Sequence, residues 1–148
     1  FDLVICHAVV EWLATPLETL KQVMDRVKPG GYLSLMFYNR NAMVYKNIIR
    51  GGWRLEPILN DRYIGVGNKL SPPNPQYPFE LIQFLQNKGF DIKQHSGIRV
   101  FSDYLNSETR RQTNEQELLA LEQQYCRMPT YRDMGRYVHL LAEKKSPG

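Results

Sequence analysis

Apolar residues recur along this chain with two different periods, and each change of period marks an element. Phe1-Asp2-Leu3-Val4-Ile5-Cys6 is short, β-branched and nearly all apolar, the pattern of a parallel strand buried on both faces. Val9 to Leu13 reads as a helical turn. Thr15-Pro16-Leu17-Glu18 predicts a helix start, with Thr15 as cap, Pro16 where a missing N–H costs nothing, and Glu18 closing a capping box. Leu17, Leu20, Met24 and Val27 follow at helical spacing. Lys28-Pro29-Gly30-Gly31 then stops the helix ahead of a second strand, Tyr32 to Tyr38. A strand, a crossover helix and a strand, joined with normal handedness, make a parallel pair.

The second half is more broken. Asn41 to Arg50 predicts a helix with Met43, Val44, Ile48 and Ile49 available for burial. Gly51 to Gln76 is rich in glycine and proline and reads as an irregular lid over about residues 51–76. Gly65-Val66-Gly67 follows no strand and opens no helix, so it reads as loop flexibility. Pro78 to Lys88 predicts a helix with Phe79, Ile82 and Leu85 on one face and Gly89 as its stop. Phe90 to Gln94 and Gly97 to Phe101 are extended, and Asn114 to Tyr125 is helical through Leu118, Leu121 and Tyr125. Arg136 to Glu143 is a final strand before a frayed tail. The class is α/β.

The 148 residues amount to about one domain, and 43% apolar with 23% charged residues is globular composition, which argues against a mainly disordered or fibrous protein. Two cysteines, Cys6 and Cys126, build no disulfide framework and suit no zinc spacing, so a reducing, cytoplasmic setting is expected. No apolar run approaches the roughly 20 residues that span a bilayer. The net charge of +4 is uneven: residues 26–69 hold eight basic side chains against two acids, Glu56 and Asp61. Such a segment suits phosphates; its alternative is a solvated basic surface.

Several runs together resemble a known family. Phe1-Asp2-Leu3-Val4, the capped helix and Val27-Lys28-Pro29-Gly30-Gly31-Tyr32-Leu33 are similar to the fourth and fifth strands of class I S-adenosylmethionine-dependent methyltransferases. His7-Ala8-Val9 with Glu11-Trp12, Leu33 to Asn39, Arg99-Val100-Phe101 with Asp103-Tyr104-Leu105, Tyr125-Cys126-Arg127, and Gly135-Arg136-Tyr137 with His139 resemble one subgroup, the bacterial tRNA 5-carboxymethoxyuridine methyltransferases. On that template the chain supplies the last four strands of a Rossmann-like sheet with flanking helices, the carboxy-terminal part of a methyltransferase domain over residues 1–148. The glycine-rich turn that carries most of the cofactor would lie upstream. These residues alone are then expected to transfer no methyl group, and Phe1 to Cys6 becomes a bare edge open to dimerisation or strand swapping.

The resemblance implies S-adenosyl-L-methionine as cofactor and tRNA as partner, with methyl transfer to a carboxylate. It offers His7, past the carboxyl end of its strand, as a cofactor contact; the alternative is a histidine that caps the strand end. Its substrate-binding candidates are Tyr38, Asn39, Arg99, Tyr104, Arg136 and Tyr137. Arg99 has a salt bridge to Asp103 as its alternative, and Arg136 a plain surface role. Tyr45, Trp53 and Tyr63 interleave with Arg40, Lys46, Arg50, Arg54 and Arg62, a composition suited to stacking bases and neutralising phosphates. A carboxylate acceptor is already ionised near neutrality (reference pKa about 4), so it needs an anchor, not a base. Two other readings stand beside this one: a malonyl-acyl-carrier-protein methyltransferase of biotin synthesis, and a non-catalytic interaction module.

Overall fold

The computed structural model describes residues 1–51, 55–60 and 72–148. In chain order the elements are β1 (Leu3–His7), α1 (Pro16–Asp25), β2 (Tyr32–Tyr38), α2 (Arg40–Arg50), α3 (Leu55–Leu59), α4 (Pro78–Asn87), β3 (Phe90–Ile98), α5 (Ser107–Gln112), α6 (Glu115–Tyr125) and β4 (Tyr137–Lys144). Single 3-10 turns cover Val10–Trp12, Ser102–Tyr104 and Tyr131–Met134. Trp53, Arg54, Arg62, Tyr63, Lys69 and the Gly65-Val66-Gly67 run lie outside the described residues.

The four strands form one mixed sheet in the order β1-β2-β4-β3. β1 runs parallel to β2, with Leu3 opposite Tyr32 and His7 opposite Met36, as the strand–helix–strand pattern predicts. β4 enters between β2 and β3 and is antiparallel to both. Gly31 lets the second strand start this close to the first: a Cβ there would stand 2.9–3.0 Å from the carbonyl oxygens of Lys28, Asp2 and Phe1.

One face of the sheet makes the core. Cys6, Leu33, Leu35, Phe37, Val138, Leu140 and Ala142 pack against Leu20 and Met24 of α1 and Leu81 and Leu85 of α4. The side chains in between, among them Leu3, Ile5, His7, Ser34, Tyr38, Tyr137 and His139, point to the other face by strand alternation. This corrects the expectation that the first strand is buried on both sides. Leu3 is 51% and Ile5 61% exposed, because no described element covers that face of β1. β1 also pairs with β2 alone among the described residues, so its outer edge is open.

Three further differences have physical reasons. Thr15 stands at the N-cap of α1 but its side chain makes no cap bond; Pro16 opens the helix alone, and the main-chain oxygen of Thr15 accepts from Thr19 at 3.1 Å. The first extended stretch after Gly89 and the start of the second are one strand, β3, whose register shifts between Ile92 and Gln94 and so breaks the apolar alternation, while Arg99 to Phe101, expected as extended, lie in the turn that follows it. Arg136 precedes the final strand, which begins at Tyr137. The short, polar α5, capped by Asn106, has no apolar period by which to read it.

Gly135 marks where the chain turns into β4 against β3. A Cβ there would fall 2.6 Å from the Ile98 nitrogen, 2.7 Å from the Tyr137 oxygen and 2.9 Å from the Gly97 Cα, all backbone. Gly135→Ala in the full-length protein is therefore expected to cost about 2 kcal/mol of stability, read as a lowered urea midpoint. An unchanged midpoint would mean that these backbones do not approach so closely.

Candidate functional site

The turn leaving β3 is built around a carboxylate. Glu122 of α6 accepts from the backbone N–H of Val100 (2.6 Å), Phe101 (2.9 Å) and Ser102 (2.8 Å) and from the Ser102 hydroxyl (2.7 Å). Burial pushes its pKa up, but the Ser102 hydroxyl and the main-chain donors outweigh that and hold Glu122 below the usual carboxylate range. Within this turn Arg99 takes φ +62°, which carries it out of the apolar run around it. It ends 44% exposed and paired with Asp103. The salt bridge weighed for Arg99 is thus formed.

Asp103 collects a second arginine. Its Oδ1 receives Arg99, its Oδ2 receives Nη1 of Arg136 at 3.4 Å, and its side chain is 6% exposed. The Arg136 guanidinium also lies 5.8 Å from the centre of the Tyr38 ring, which meets Tyr137 edge to face at 5.4 Å. Tyr104 donates its hydroxyl to the Met134 oxygen at 2.6 Å and packs against Tyr45 at 5.6 Å. Five of the residues picked from the sequence (Tyr38, Arg99, Tyr104, Arg136 and Tyr137) thus gather at the carboxyl end of β2 and the entry to β4.

Asn39 stands beside them in a different capacity. It is fully buried, and its amide is spent internally: Oδ1 accepts from the Asn41 N–H at 3.0 Å, while Nδ2 donates to the oxygens of Asp133 (2.7 Å) and Gly135 (2.8 Å). It caps α2 and ties that helix to the segment that presents Arg136.

Tyr38, Ala42, Met43, Lys46, Asp103, Tyr104 and Arg136 line a narrow cleft with about 10 Å³ of open space, room for one water-sized group. Burial pushes the phenols of Tyr38 and Tyr104 up, so both stay neutral donors at pH 7. Burial, and next the charge of Arg50, brings Lys46 down. Lys46 has no ion-pair partner among the described residues. Sequence reasoning counted Lys46 only as part of a basic composition and named Asp103 only as a partner of Arg99. The helical spacing of Met43, Lys46 and Arg50 was the available signal.

His7 lies outside this cleft, on the open face of the sheet. Its Nε2 is 2.8 Å from the Ser34 hydroxyl, which is 2.8 Å from Nε2 of His139. The two rings meet edge to face at 5.6 Å. Burial, with His7 adding to it, lowers the pKa of His139, so this row is neutral at His139 near pH 7. A second cleft of about 450 Å³ opens between the end of β3 and α6, lined in part by Ile98, Leu118, Leu119 and Cys126.

An α/β half-sheet with an antiparallel strand inserted beside a parallel pair is a fold shared with solved class I methyltransferases. PKMT2 from Rickettsia typhi, solved in complex with AdoHcy, matches with a TM-score of 0.55 at 14% identity over 100% of this chain and 36% of that one. The [4+2]-cyclase SpnF matches at 0.51 with 15% identity, over 99% and 50%. At such identities the likeness is one of fold, and a cyclase among these neighbours shows that the fold does not dictate the chemistry. Residues 1–35 match the family described as the methyltransferase domain. The tRNA 5-carboxymethoxyuridine methyltransferase of Escherichia coli strain K12 is 36% identical over 149 residues, 97% of this chain and 54% of that protein. The chain spans about half the length of the curated relative it matches.

Glu11, in the turn after β1, is fully buried, and neither carboxyl oxygen has a side-chain partner among the described residues. Burial pushes its pKa up. The folded protein then holds this proton to higher pH than the unfolded chain does, so the stability that Glu11 contributes is fully present below the ordinary glutamate pKa and is lost as pH rises through the folded value. Glu11→Gln removes that decline. The variant is expected to melt with the wild type at pH 4 and above it at pH 8, by calorimetry of the full-length protein; equal melting at both pH values would contradict the buried, unpaired carboxyl.

Proposed function

We propose that the full-length protein carrying this chain transfers a methyl group from S-adenosylmethionine to the carboxylate of 5-carboxymethoxyuridine at the tRNA wobble position. The observation that carries this reading is the cleft at the carboxyl end of β2, where arginine, lysine and neutral tyrosine converge on a space sized for the end of a carboxylate. The 36% identity to a methyltransferase named for that nucleoside, along 97% of the chain, supports the same substrate. Acting on tRNA would place the protein in the cytoplasm; no helix among the described residues is long and apolar enough to cross a membrane.

The residues present fit the cofactor at one point. His7 is exposed at the carboxyl end of a parallel strand, where open α/β sheets hold their ligands, and its Nδ1 has no hydrogen-bond partner among the described residues. His7 would hold part of S-adenosylmethionine, which when bound would supply an electrophilic sulfonium methyl group for a carboxylate oxygen, with the neutral thioether as leaving group. The chain's own contribution is placement. Arg99 and Arg136 are fixed by Asp103, Tyr38 and Tyr104 form neutral walls, and the tied segment before β4 keeps these groups in register. No proton has to move, so a general base is unnecessary, and orientation supplies the acceleration.

The decisive experiment incubates the full-length protein with the cofactor and tRNA bearing 5-carboxymethoxyuridine. The wobble nucleoside should gain one methyl group that mild alkali removes, as an ester requires. An alkali-stable methyl group would overturn the reading, and so would transfer to a malonyl carrier protein in preference to tRNA. In the same protein His7→Ala should weaken cofactor binding about tenfold by calorimetry, the scale of one lost hydrogen bond. Unchanged affinity would remove His7 from the cofactor site.

A further inference from the structure

Arg136 lines the cleft and Arg99 stands beyond Asp103, and both are already engaged. Each oxygen of Asp103 is taken by one of them, Oδ1 by Arg99 and Oδ2 by Arg136. The cation left over is Lys46. It lines the same cleft, is half buried, and has no ion-pair partner among the described residues. Arg50, Arg136 and Arg99 all repel it, and among the described residues Asp103 opposes them. A half-buried ammonium among three guanidiniums and a single carboxylate is an unbalanced arrangement that an incoming anion relieves.

We propose that Lys46 is the substrate anchor: it grips the oxygen of the acceptor carboxylate that does not attack, and the Tyr38 hydroxyl stands in the same cleft as a second donor. This deepens the carboxylate-methyltransferase reading and rests on it. The size of the cleft supplies the argument for one oxygen. Its space admits a single water-sized group, so one carboxylate oxygen enters while the other stays outside, free to meet the methyl carbon. The residue type argues likewise. A guanidinium fork takes both oxygens of a carboxylate and would quench the nucleophile, whereas an ammonium is a compact point charge that leaves one oxygen bare. Stabilising the non-attacking oxygen holds the substrate without rewarding the ground state at the reacting atom.

The test uses full-length protein saturated with S-adenosylhomocysteine and two anticodon stem-loops, one carrying 5-carboxymethoxyuridine and one its methyl ester. Calorimetry should show the acid bound about 10- to 100-fold more tightly than the ester. Lys46→Met should abolish that preference while keeping wild-type affinity for S-adenosylhomocysteine, which also shows that the variant folds. Lys46→Arg should keep the preference but lower kcat at least tenfold with KM for the stem-loop little changed, because its fork engages both oxygens. A Lys46→Met protein that still prefers the acid, or a Lys46→Arg protein with wild-type kcat, overturns the anchor alone. If wild type binds neither stem-loop, the wobble-uridine reading falls and the anchor with it.

Discussion

Asp103 is 6% exposed and takes an arginine on each oxygen, one from the turn that leaves β3 and one from the segment that enters β4. Removing a carboxylate from water is costly unless its lone pairs are filled, and here they are filled by two cations brought together where β3 pairs with β4, the Arg136 N–H donating to the Arg99 oxygen at 3.4 Å. Glu122 repeats the device a short distance away, with three backbone N–H groups and a hydroxyl in place of arginines. Two satisfied carboxylates thus fix the turn that leaves β3. Lys46, without an ion-pair partner among the described residues, lines the cleft beside Asp103.

The sheet divides stability from chemistry by its two faces. Leucine, valine and phenylalanine from β2 and β4 meet α1 and α4 on the covered face, which holds the fully buried side chains. The opposite face carries His7, Ser34, His139, Tyr38 and Tyr137, every one of them placed by the two-residue period of a strand. This arrangement explains how Ser34, in the middle of an otherwise apolar strand, is accommodated. It bridges two imidazoles on a face that the core does not need.

Much of the fold was legible because its first half obeys local rules: an apolar run, a proline-started helix, a glycine turn and a second apolar run give the parallel pair in register. What local rules cannot say is which face finds a partner, so Leu3 and Ile5 looked buried and are exposed. β3 read as two pieces because its register shift at Ile92/Gln94 interrupts the alternation on which the reading depends. Tyr38, Arg99, Tyr104, Arg136 and Tyr137, picked through resemblance to a family, gather in one cluster. Asn39 was placed with them, although its amide turned out to be spent on the backbone. Lys46 and Asp103 come from elements far apart in the chain, and no spacing rule links a lysine on one helix to an aspartate in a distant turn.

Backbone strain follows the same geography. The three non-glycine residues with positive φ among the described residues are Ala8 (54°), Arg99 (62°) and Thr130 (74°). Each sits at a loop next to a residue of the site: Ala8 after His7, Arg99 within the cluster itself, and Thr130 before the turn whose carbonyls receive Tyr104 and Asn39. Such conformations cost about 1–3 kcal/mol apiece and persist only where the surroundings over-determine them. Here the surroundings are identifiable. Glu122 pins the turn around Arg99 through four bonds, the Ala8 N–H bonds to the Met36 oxygen at 2.8 Å, and the Thr130 oxygen accepts from Asp133 at 3.2 Å. Three strained residues at one end of a sheet, each held by bonds made elsewhere, are what a preorganised site requires. A reaction accelerated mainly by orientation is served by such rigidity, and the fold has placed its rigidity at this end of the sheet.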